Sequence, residues 1–371
     1  MECLKINSLT IRSLRMKLKE PFITSFGTEL DKEFLLLTVL DQDGIAGWGE
    51  CVAMEQPIYN EETNVTAKHL LRDFLFPLLR GKTIRHPDEL AQIFAPIRRN
   101  QMAKAALECA VWDLYARKNN LPLYQALGGS RKKIDVGISI GMQAEPKLLV
   151  RQVEKYVHAG YKRIKIKIMP GKDLHYIDAV RQAFPAVPLM ADANSAYSLD
   201  DIELLKAMDG YYLMMIEQPL AHDDIIDHAL LQSKINTPIC LDESIHSYED
   251  ARRALSIDAC RIINIKLGRV GGLTESRKIE QLCRERNIPV WCGGMLEAGV
   301  GRAFNVALTT LSGFTLPGDT AASSRYWERD IISSAVMVSN GEITVPQAAG
   351  FGYELDFEAI NSFTETTAEI I

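Results

Sequence analysis

The sequence predicts an α/β barrel preceded by a small α+β domain, and three observations carry that prediction. Five charged residues, Lys167, Asp192, Glu217, Asp242 and Lys266, recur at intervals of 25, 25, 25 and 24 residues. Each ends an apolar run. A strand, a loop, a helix and a second loop take about 25–30 residues together, so the period is that of a chain of βα units. The first ~125 residues lack this period and read instead as strands followed by helices.

The elements follow in order. Residues 34–40, the turn Asp41-Gln42-Asp43-Gly44 and residues 45–50 form a predicted β-hairpin. Helical apolar spacing follows at 65–79 and, more strongly, at 103–116. Pro122 and the Gly128-Gly129-Ser130 turn close the region. Residues 135–140 form the first predicted barrel strand. Strands two to six end at the five charged residues, after apolar runs at 163–166, 187–191, 211–216, 238–241 and 261–265. Residues 290–294 and 314–318 supply strands seven and eight. Helices fill the intervals, as at 146–159, 174–184 and 273–286. Beyond Ser333 the pattern breaks. Residues 335–338, a Ser339-Asn340-Gly341 turn and residues 342–345 read as a hairpin, in a tail expected to return to the N-terminal domain. The expected division is 1–128 for a cap, 129–325 for the barrel and 326–371 for the returning segment.

Composition narrows the functional classes. The 371 residues are 47% hydrophobic and 24% charged, ordinary for a soluble globular protein of more than one domain. A net charge of −6 leaves no basic footprint for nucleic acid and no polybasic membrane patch. No apolar run approaches the roughly 18–20 residues that span a bilayer, and the N-terminus lacks a signal-peptide pattern. Seven scattered cysteines without a CxxC pair read as reduced core residues of a cytoplasmic protein. Seven histidines without HExxH spacing argue against zinc. Gly299-Val300-Gly301 and Gly268-Arg269-Val270-Gly271-Gly272 read as tight loops, not nucleotide fingerprints.

In a barrel the chemistry sits at the C-terminal strand ends. Strands two and six are four apart in a ring of eight, so Lys167 and Lys266 face each other across the mouth. Asp192, Glu217 and Asp242 lie on the arc between them. Three carboxylates without imidazole or thiolate suit a hard cation, Mg²⁺ above all, which keeps sites open for water and substrate oxygens. Such an ion binds a substrate carboxylate and stabilises the charge that develops when an α-proton leaves. The expected partner is therefore a small-molecule carboxylate, with no nucleic acid and no membrane; homo-oligomerisation stays open. A lysine must be neutral to act as a base. Lys165 lies on the same side of its strand as Lys167 and is expected, with the metal, to depress the pKa of Lys167. Arg269 is expected to do the same for Lys266. A single carboxylate after a strand is more often a cap or a loop residue, and Lys165 alone a solvated one. Five in register are harder to dismiss.

Lys165-Ile166-Lys167, Asp192-Ala193-Asn194, Glu217-Gln218-Pro219, Asp242-Glu243-Ser244 and Lys266 resemble the muconate-lactonising subgroup of the enolase superfamily over essentially the whole chain. Residues 52–59, 292–297 and 316–319 resemble its o-succinylbenzoate synthase/N-succinylamino acid racemase family. The resemblance implies a modified TIM barrel, (β/α)7β, with an α+β capping domain built from the N-terminal region and the C-terminal tail. It implies Asp192, Glu217 and Asp242 as ligands of Mg²⁺, with Mn²⁺ as a substitute. It implies Lys167 and Lys266 as catalytic, supported by Lys165, Arg269, Asn194 and Glu243. The implied reaction is syn-dehydration of 2-succinyl-6-hydroxy-2,4-cyclohexadiene-1-carboxylate through an enediolate, a step of menaquinone biosynthesis. Lys167 removes the α-proton and then assists departure of hydroxide from the same face, while Lys266 stabilises the intermediate. Arg269 resembles the arginine that accompanies racemase ability, which implies N-succinylamino acid racemase activity as well.

The cap loops 22–28 and 52–59 are implied to set specificity. Phe22, Phe26, Met54 and Ile58 would wall the succinyl end, with Gly293, Gly294 and Met295 contributed by strand seven. A dipeptide epimerase is disfavoured by the absence of Asp-x-Asp at strand seven, and a muconate cycloisomerase would share the same metal and lysines. A Schiff-base aldolase leaves three aligned carboxylates unexplained. A catalytically silent binding protein on the same fold is the alternative from another class.

Overall fold

A computed structural model describes residues 2–25 and 27–371. Strands β1 (Ile6–Ile23), β2 (Thr28–Asp41) and β3 (Ala46–Cys51) form an antiparallel meander. The β2–β3 turn falls where the sequence predicts it. Asp41 Oδ1 accepts from the Asp43 and Ile45 N–H groups, both at 2.9 Å, and Gly44 takes φ +79°. A short side-chain acceptor and a glycine are what such a turn needs. The helix Gln101–Lys118 lies against β3. A Cβ at Gly47 would stand 2.3 Å from the Ala110 carbonyl oxygen, and one at Gly49 would stand 2.2 Å from that of Ala106. Glycines on the strand and alanines on the helix permit this approach.

Three buried glutamates close helix N-termini. Glu62 accepts from Met102 and Ala103 N–H at the start of Gln101–Lys118. Glu108, on that helix, accepts from Leu273 and Thr274 N–H at the start of Leu273–Glu285. Glu50 of β3 accepts from Ala298 and Gly301 N–H at the start of Gly299–Leu308. Each carboxyl satisfies N–H groups that the helix leaves unpaired. Glu108 and Glu50 thereby tie the N-terminal region to helices of the barrel. Burial pushes all three carboxyls up to about 7, against the opposing pull of those N–H bonds. Between the usual 4.5 and about 7 the folded protein keeps protons that the unfolded chain has released. This contribution to stability is full at low pH and falls as pH rises through that window. Replacing Glu108 by Gln is expected to flatten the slope, measured as the change in urea midpoint between pH 5 and pH 7. An unchanged slope would reject the assignment.

After a short strand β4 (Lys133–Asp135) come seven parallel strands: β5 (Ile138–Ile140), β6 (Ile164–Lys167), β7 (Leu189–Asp192), β8 (Ile216–Glu217), β9 (Ile239–Leu241), β10 (Ile262–Ile265) and β11 (Val290–Cys292). They lie side by side in chain order. Ile164, Ile166, Leu189, Ala191, Ile216, Leu241, Ile263 and Ile265 join the main hydrophobic core. Their neighbours Met190, Met215, Cys240, Ile262 and Trp291 form a separate, inner cluster. The period of two along each strand then carries Lys167, Asp192, Glu217, Asp242 and Lys266 onto the inner face beyond that plug. Register aligns them directly: Lys167 is opposite Asp192, and Asp192 is opposite Glu217.

Several predicted elements differ. Strand four is reduced to Ile216 and Glu217, because Met208–Tyr211 closes into a 3₁₀ turn. The first barrel strand covers only 138–140. Residues 133–135 leave the ring as β4 and pair antiparallel with β12 (Glu342–Thr344). Of the predicted tail hairpin only the turn remains, closed by an antiparallel Ser339–Glu342 bridge: residues 335–338 carry no strand, and β12 finds its partner in β4. Residues 314–318 make isolated bridges rather than an eighth strand. Leu316 N–H bonds to the Val290 carbonyl, Asp319 N–H to that of Cys292, and Gly137 N–H to that of Gly318. The segment thus links the two edge strands, and Pro317, which has no N–H, interrupts a regular ladder. The two glycine-rich segments are not loops throughout, since Gly299 opens a helix and Leu267–Val270 is a helical turn. Finally β13 (Thr364–Ile370) pairs antiparallel with β1, so the tail does return to the N-terminal sheet. All seven cysteines are free and six are buried. Among the described residues no helix is long and apolar enough to cross a membrane.

Candidate active site

One cleft takes in the inner face of the barrel strand ends and the edge of the N-terminal sheet. The barrel contributes Ser139, Lys165, Lys167, Asn194 and Lys266, and the cap contributes Phe22, Glu29, Lys32, Met54 and Tyr59. The segments after β11 add Gly294, Met295, Glu297, Arg302 and Asp319. A cleft where polar groups converge beside apolar walls is the usual form of a small-molecule site, and this one is unusually rich in charge.

Each buried carboxylate at the strand ends holds a cation. Lys167 Nζ donates to Asp192 Oδ2 at 2.6 Å and to Asn194 Oδ1 at 2.5 Å. Lys165 Nζ lies 3.2 Å from Asp192, 3.0 Å from Glu217 and 2.7 Å from Asp319. Lys266 Nζ lies 2.7 Å from Asp242 Oδ2 and donates to the Tyr59 hydroxyl at 3.1 Å. Arg269 donates to Asp242 Oδ1 and to the same hydroxyl. Asn194 takes φ +42°, which turns its N–H onto Asp192 Oδ1 and its side-chain amide onto Glu243 Oε1. Asparagine tolerates that left-handed backbone better than most residues. Asn194 therefore links Lys167, Asp192 and Glu243 in one network.

The charges do not follow the sequence expectation for Lys266. Burial disfavours the Lys266 ammonium, but Tyr59, Glu243 and Glu217 outweigh it and hold the pKa above the ordinary lysine value. Lys165 is likewise raised, since Asp319, Glu217 and Asp192 outweigh its burial. Arg269 does not depress Lys266 because its charge is directed at Asp242. Burial opposes the charge of Asp192, yet Lys167 and Lys165 pull its pKa well below the carboxylate range. Glu217 is raised, by burial and by the neighbouring charge of Asp192.

The carboxylates suit a hard divalent cation in kind: all are oxygen donors on adjacent strands, without imidazole or thiolate. The repulsion between Asp192 and Glu217 and the buried, unpartnered Glu243 Oε2 both favour added positive charge. In the conformation described, ammonium groups stand among them. Among the described residues no three carboxylate, imidazole or thiol groups converge closely enough to hold an ion. Asp192, Glu217 and Asp242 would be the residues to hold such an ion, and two of them are bonded here to Lys167 and Lys266.

Two family descriptions match this chain: "Mandelate racemase / muconate lactonizing enzyme, N-terminal domain" over residues 6–128, and "Enolase C-terminal domain-like" over 148–360. The chain belongs to the enolase superfamily. An o-succinylbenzoate synthase of Geobacillus kaustophilus is 60% identical, covering 98% of this chain and 96% of that protein. An N-succinylamino acid racemase of Thermus thermophilus is 45% identical, covering 97% and 98%. A solved enolase-superfamily structure from Listeria innocua superposes with a TM-score of 0.97 at 43% identity, covering 99% of each chain.

Within this enolase-superfamily fold the remaining predicted residues are placed unevenly. Phe22, Met54, Gly294 and Met295 line the cleft. Gly293 sits beside it, where a Cβ would stand 2.8 Å from Lys266 Cε. Ile58 is 40% exposed and lines a neighbouring cavity with His222 and His246, not the cleft. Phe26 lies outside the described residues. Sequence reasoning missed Tyr59, Asn264, Gln218 and Asp319. Asn264 Nδ2 donates to Glu217 at 2.7 Å. Gln218 takes φ +37°, and its side-chain oxygen accepts from the Asp242 N–H at 3.0 Å. Asn264 stands two residues before Lys266 in an otherwise apolar run, and that polar interruption was the available signal. Tyr59 lies in the cap loop 52–59 already implied in specificity, but its contact with Lys266 and Arg269 depends on that loop meeting the barrel.

Proposed function

We propose that this chain catalyses the Mg²⁺-dependent syn-dehydration of 2-succinyl-6-hydroxy-2,4-cyclohexadiene-1-carboxylate to o-succinylbenzoate. The observation that carries the reading is a pair of buried lysines, Lys167 on β6 and Lys266 just after β10, each bonded to a carboxylate in one cleft. Relatives at 45–60% identity over nearly the full chain, named as o-succinylbenzoate synthases and an N-succinylamino acid racemase, support it. Asp192, Glu217 and Asp242 would hold Mg²⁺, or Mn²⁺ in its place, as a Lewis acid for the substrate carboxylate. Lys167, acting as the free amine, takes the α-proton. The resulting ammonium returns that proton to the departing hydroxyl on the same face, which leaves as water. Lys266 stays protonated and stabilises negative charge from the other face. Asn194 holds Lys167 in line, and Lys165 balances Asp192 and Glu217.

N-succinylamino acid racemisation is the second reading. Two lysines facing one cleft can alternate as base and acid, and the Thermus relative carries that name. We take the fold as the modified (β/α)7β barrel. Residues 129–325 would form it, and 1–128 with 326–371 would form the cap and returning segment. The cellular role would be a cytoplasmic step of menaquinone biosynthesis, with homo-oligomerisation open. Incubation with the cyclohexadiene carboxylate tests the reading. Loss of its absorbance with Mg²⁺, and none with a chelator, is expected. Folded protein with Mg²⁺ and no turnover would reject it.

A further inference from the structure

The proton-transfer residues all belong to the barrel, yet two buried cations line the cleft beyond them. Lys32, on β2 of the cap, is 3% exposed, and its Nζ donates to the Val52 carbonyl at 3.1 Å. An ammonium has three N–H donors, and this is its one hydrogen bond among the described residues. Among the described residues Arg302 donates only to the backbone carbonyls of Ala321 and Glu297, and its Nε is buried without a partner. Neither cation forms an ion pair among the described residues, unlike Lys165, Lys167, Lys266 and Arg269. Glu29 and Glu297 line the same cleft. Glu297 Oε1 is engaged by the Met295 N–H at 2.8 Å, and Glu29 does not reach Lys32 to form an ion pair. Burial holds the Lys32 pKa below the ordinary lysine value, against the opposing charges of Glu50, Glu297 and Glu29. A buried cation without a carboxylate is costly unless a ligand supplies one.

We propose that Lys32 binds the second, distal carboxylate of the substrate, with Arg302 contributing to the positive field, so that the cap selects succinyl-bearing dicarboxylates. This rests on the function proposed above, whose substrate carries one carboxylate on the ring and one at the end of the succinyl chain. The first lies with the barrel lysines. Lys32 lines the same cleft as those lysines, so a dicarboxylate held at them has a second cation within the cleft for its other end. Lys32 is a specificity residue and takes no part in the proton transfer.

The test is calorimetric binding, with Mg²⁺ present, of o-succinylbenzoate and of 2-butyrylbenzoate, which replaces the distal carboxylate by a methyl group. Wild-type protein is expected to prefer o-succinylbenzoate. Lys32→Met is expected to weaken its binding by about ten- to a hundredfold, the range for a charge-assisted hydrogen bond, and to leave 2-butyrylbenzoate unchanged. Lys32→Arg is expected to recover most of the loss. If Lys32→Met fails to fold, Lys32→Gln, which can still donate to Val52, decides in the same way. Equal weakening of both ligands would mark Lys32 as a prop for the Val52 loop and overturn the assignment, as would no change in either. If wild-type protein converts the cyclohexadiene carboxylate while the variants bind both ligands alike, only this assignment falls. Absence of wild-type turnover instead removes the functional reading and this one with it.

Discussion

Replacing Lys167 by alanine is expected to lower dehydration turnover by about 10³-fold or more, with Mg²⁺ binding retained. A positioned general base contributes roughly 10²–10⁴-fold, and here the same nitrogen would also deliver the proton to the leaving hydroxyl, so both halves of the reaction lose their donor and acceptor. The fold should survive, because Asp192 keeps Lys165 at 3.2 Å and the Asn194 N–H at 3.0 Å. Removing one member of a buried ion pair is otherwise strongly destabilising. Deuterium exchange into N-succinylamino acids gives a sharper readout than rate alone. Loss of Lys167 should stop exchange for the enantiomer whose α-hydrogen faces β6 and leave it for the other. Lys266→Ala should show the reverse. Equal loss for both enantiomers in each variant would mean that the lysines do not act on opposite faces.

Glu217→Gln is expected to abolish Mg²⁺-dependent turnover and the stabilisation of the fold by Mg²⁺. Glu217 is fully buried between Asp192 and Asp242 in strand order, and it bonds Lys165 and Asn264. Glutamine preserves its volume and an acceptor but removes the charge a hard cation requires. A ligand present at about 100 times its Kd stabilises the folded state by about 2.7 kcal/mol, so wild-type Tm should rise clearly with Mg²⁺ and return on chelation. The variant should show no such rise while remaining cooperative in unfolding. An undiminished Mg²⁺-dependent rise in Glu217→Gln would remove Glu217 from the ligand set, and with it the arc of three carboxylates.

Much of this arrangement is legible in the sequence. The period of 25 residues located β6 to β10 because each βα unit repeats the same length of chain, and strand ends in a parallel sheet share one level. The alternation of apolar and polar residues then decided which side chains face inward, since a strand has a period of two. For that reason Lys165, Lys167, Asp192, Glu217, Asp242 and Lys266 could be named together. The hairpin about Asp41–Gly44 was equally readable, because turn chemistry is local. The eighth strand and the first arm of the tail hairpin were misread where pairing is not local: the turn at 339–342 forms, but residues 342–344 pair with β4 and not with 335–338.

What the sequence determined was the set of charges at one end of a barrel. The tertiary structure alone decided how they pair. It placed Tyr59 from a cap loop onto Lys266 and Arg269, brought Asp319 from the last segment onto Lys165, and left Lys32 buried with a single carbonyl. It also directed the Arg269 charge to Asp242, while Tyr59, Glu243 and Glu217 raise Lys266 instead of leaving it depressed. Electrostatic effects fall off with distance and depend on burial. Spacing along the chain can therefore name the charged groups, but only their positions in space fix which of them neutralise one another.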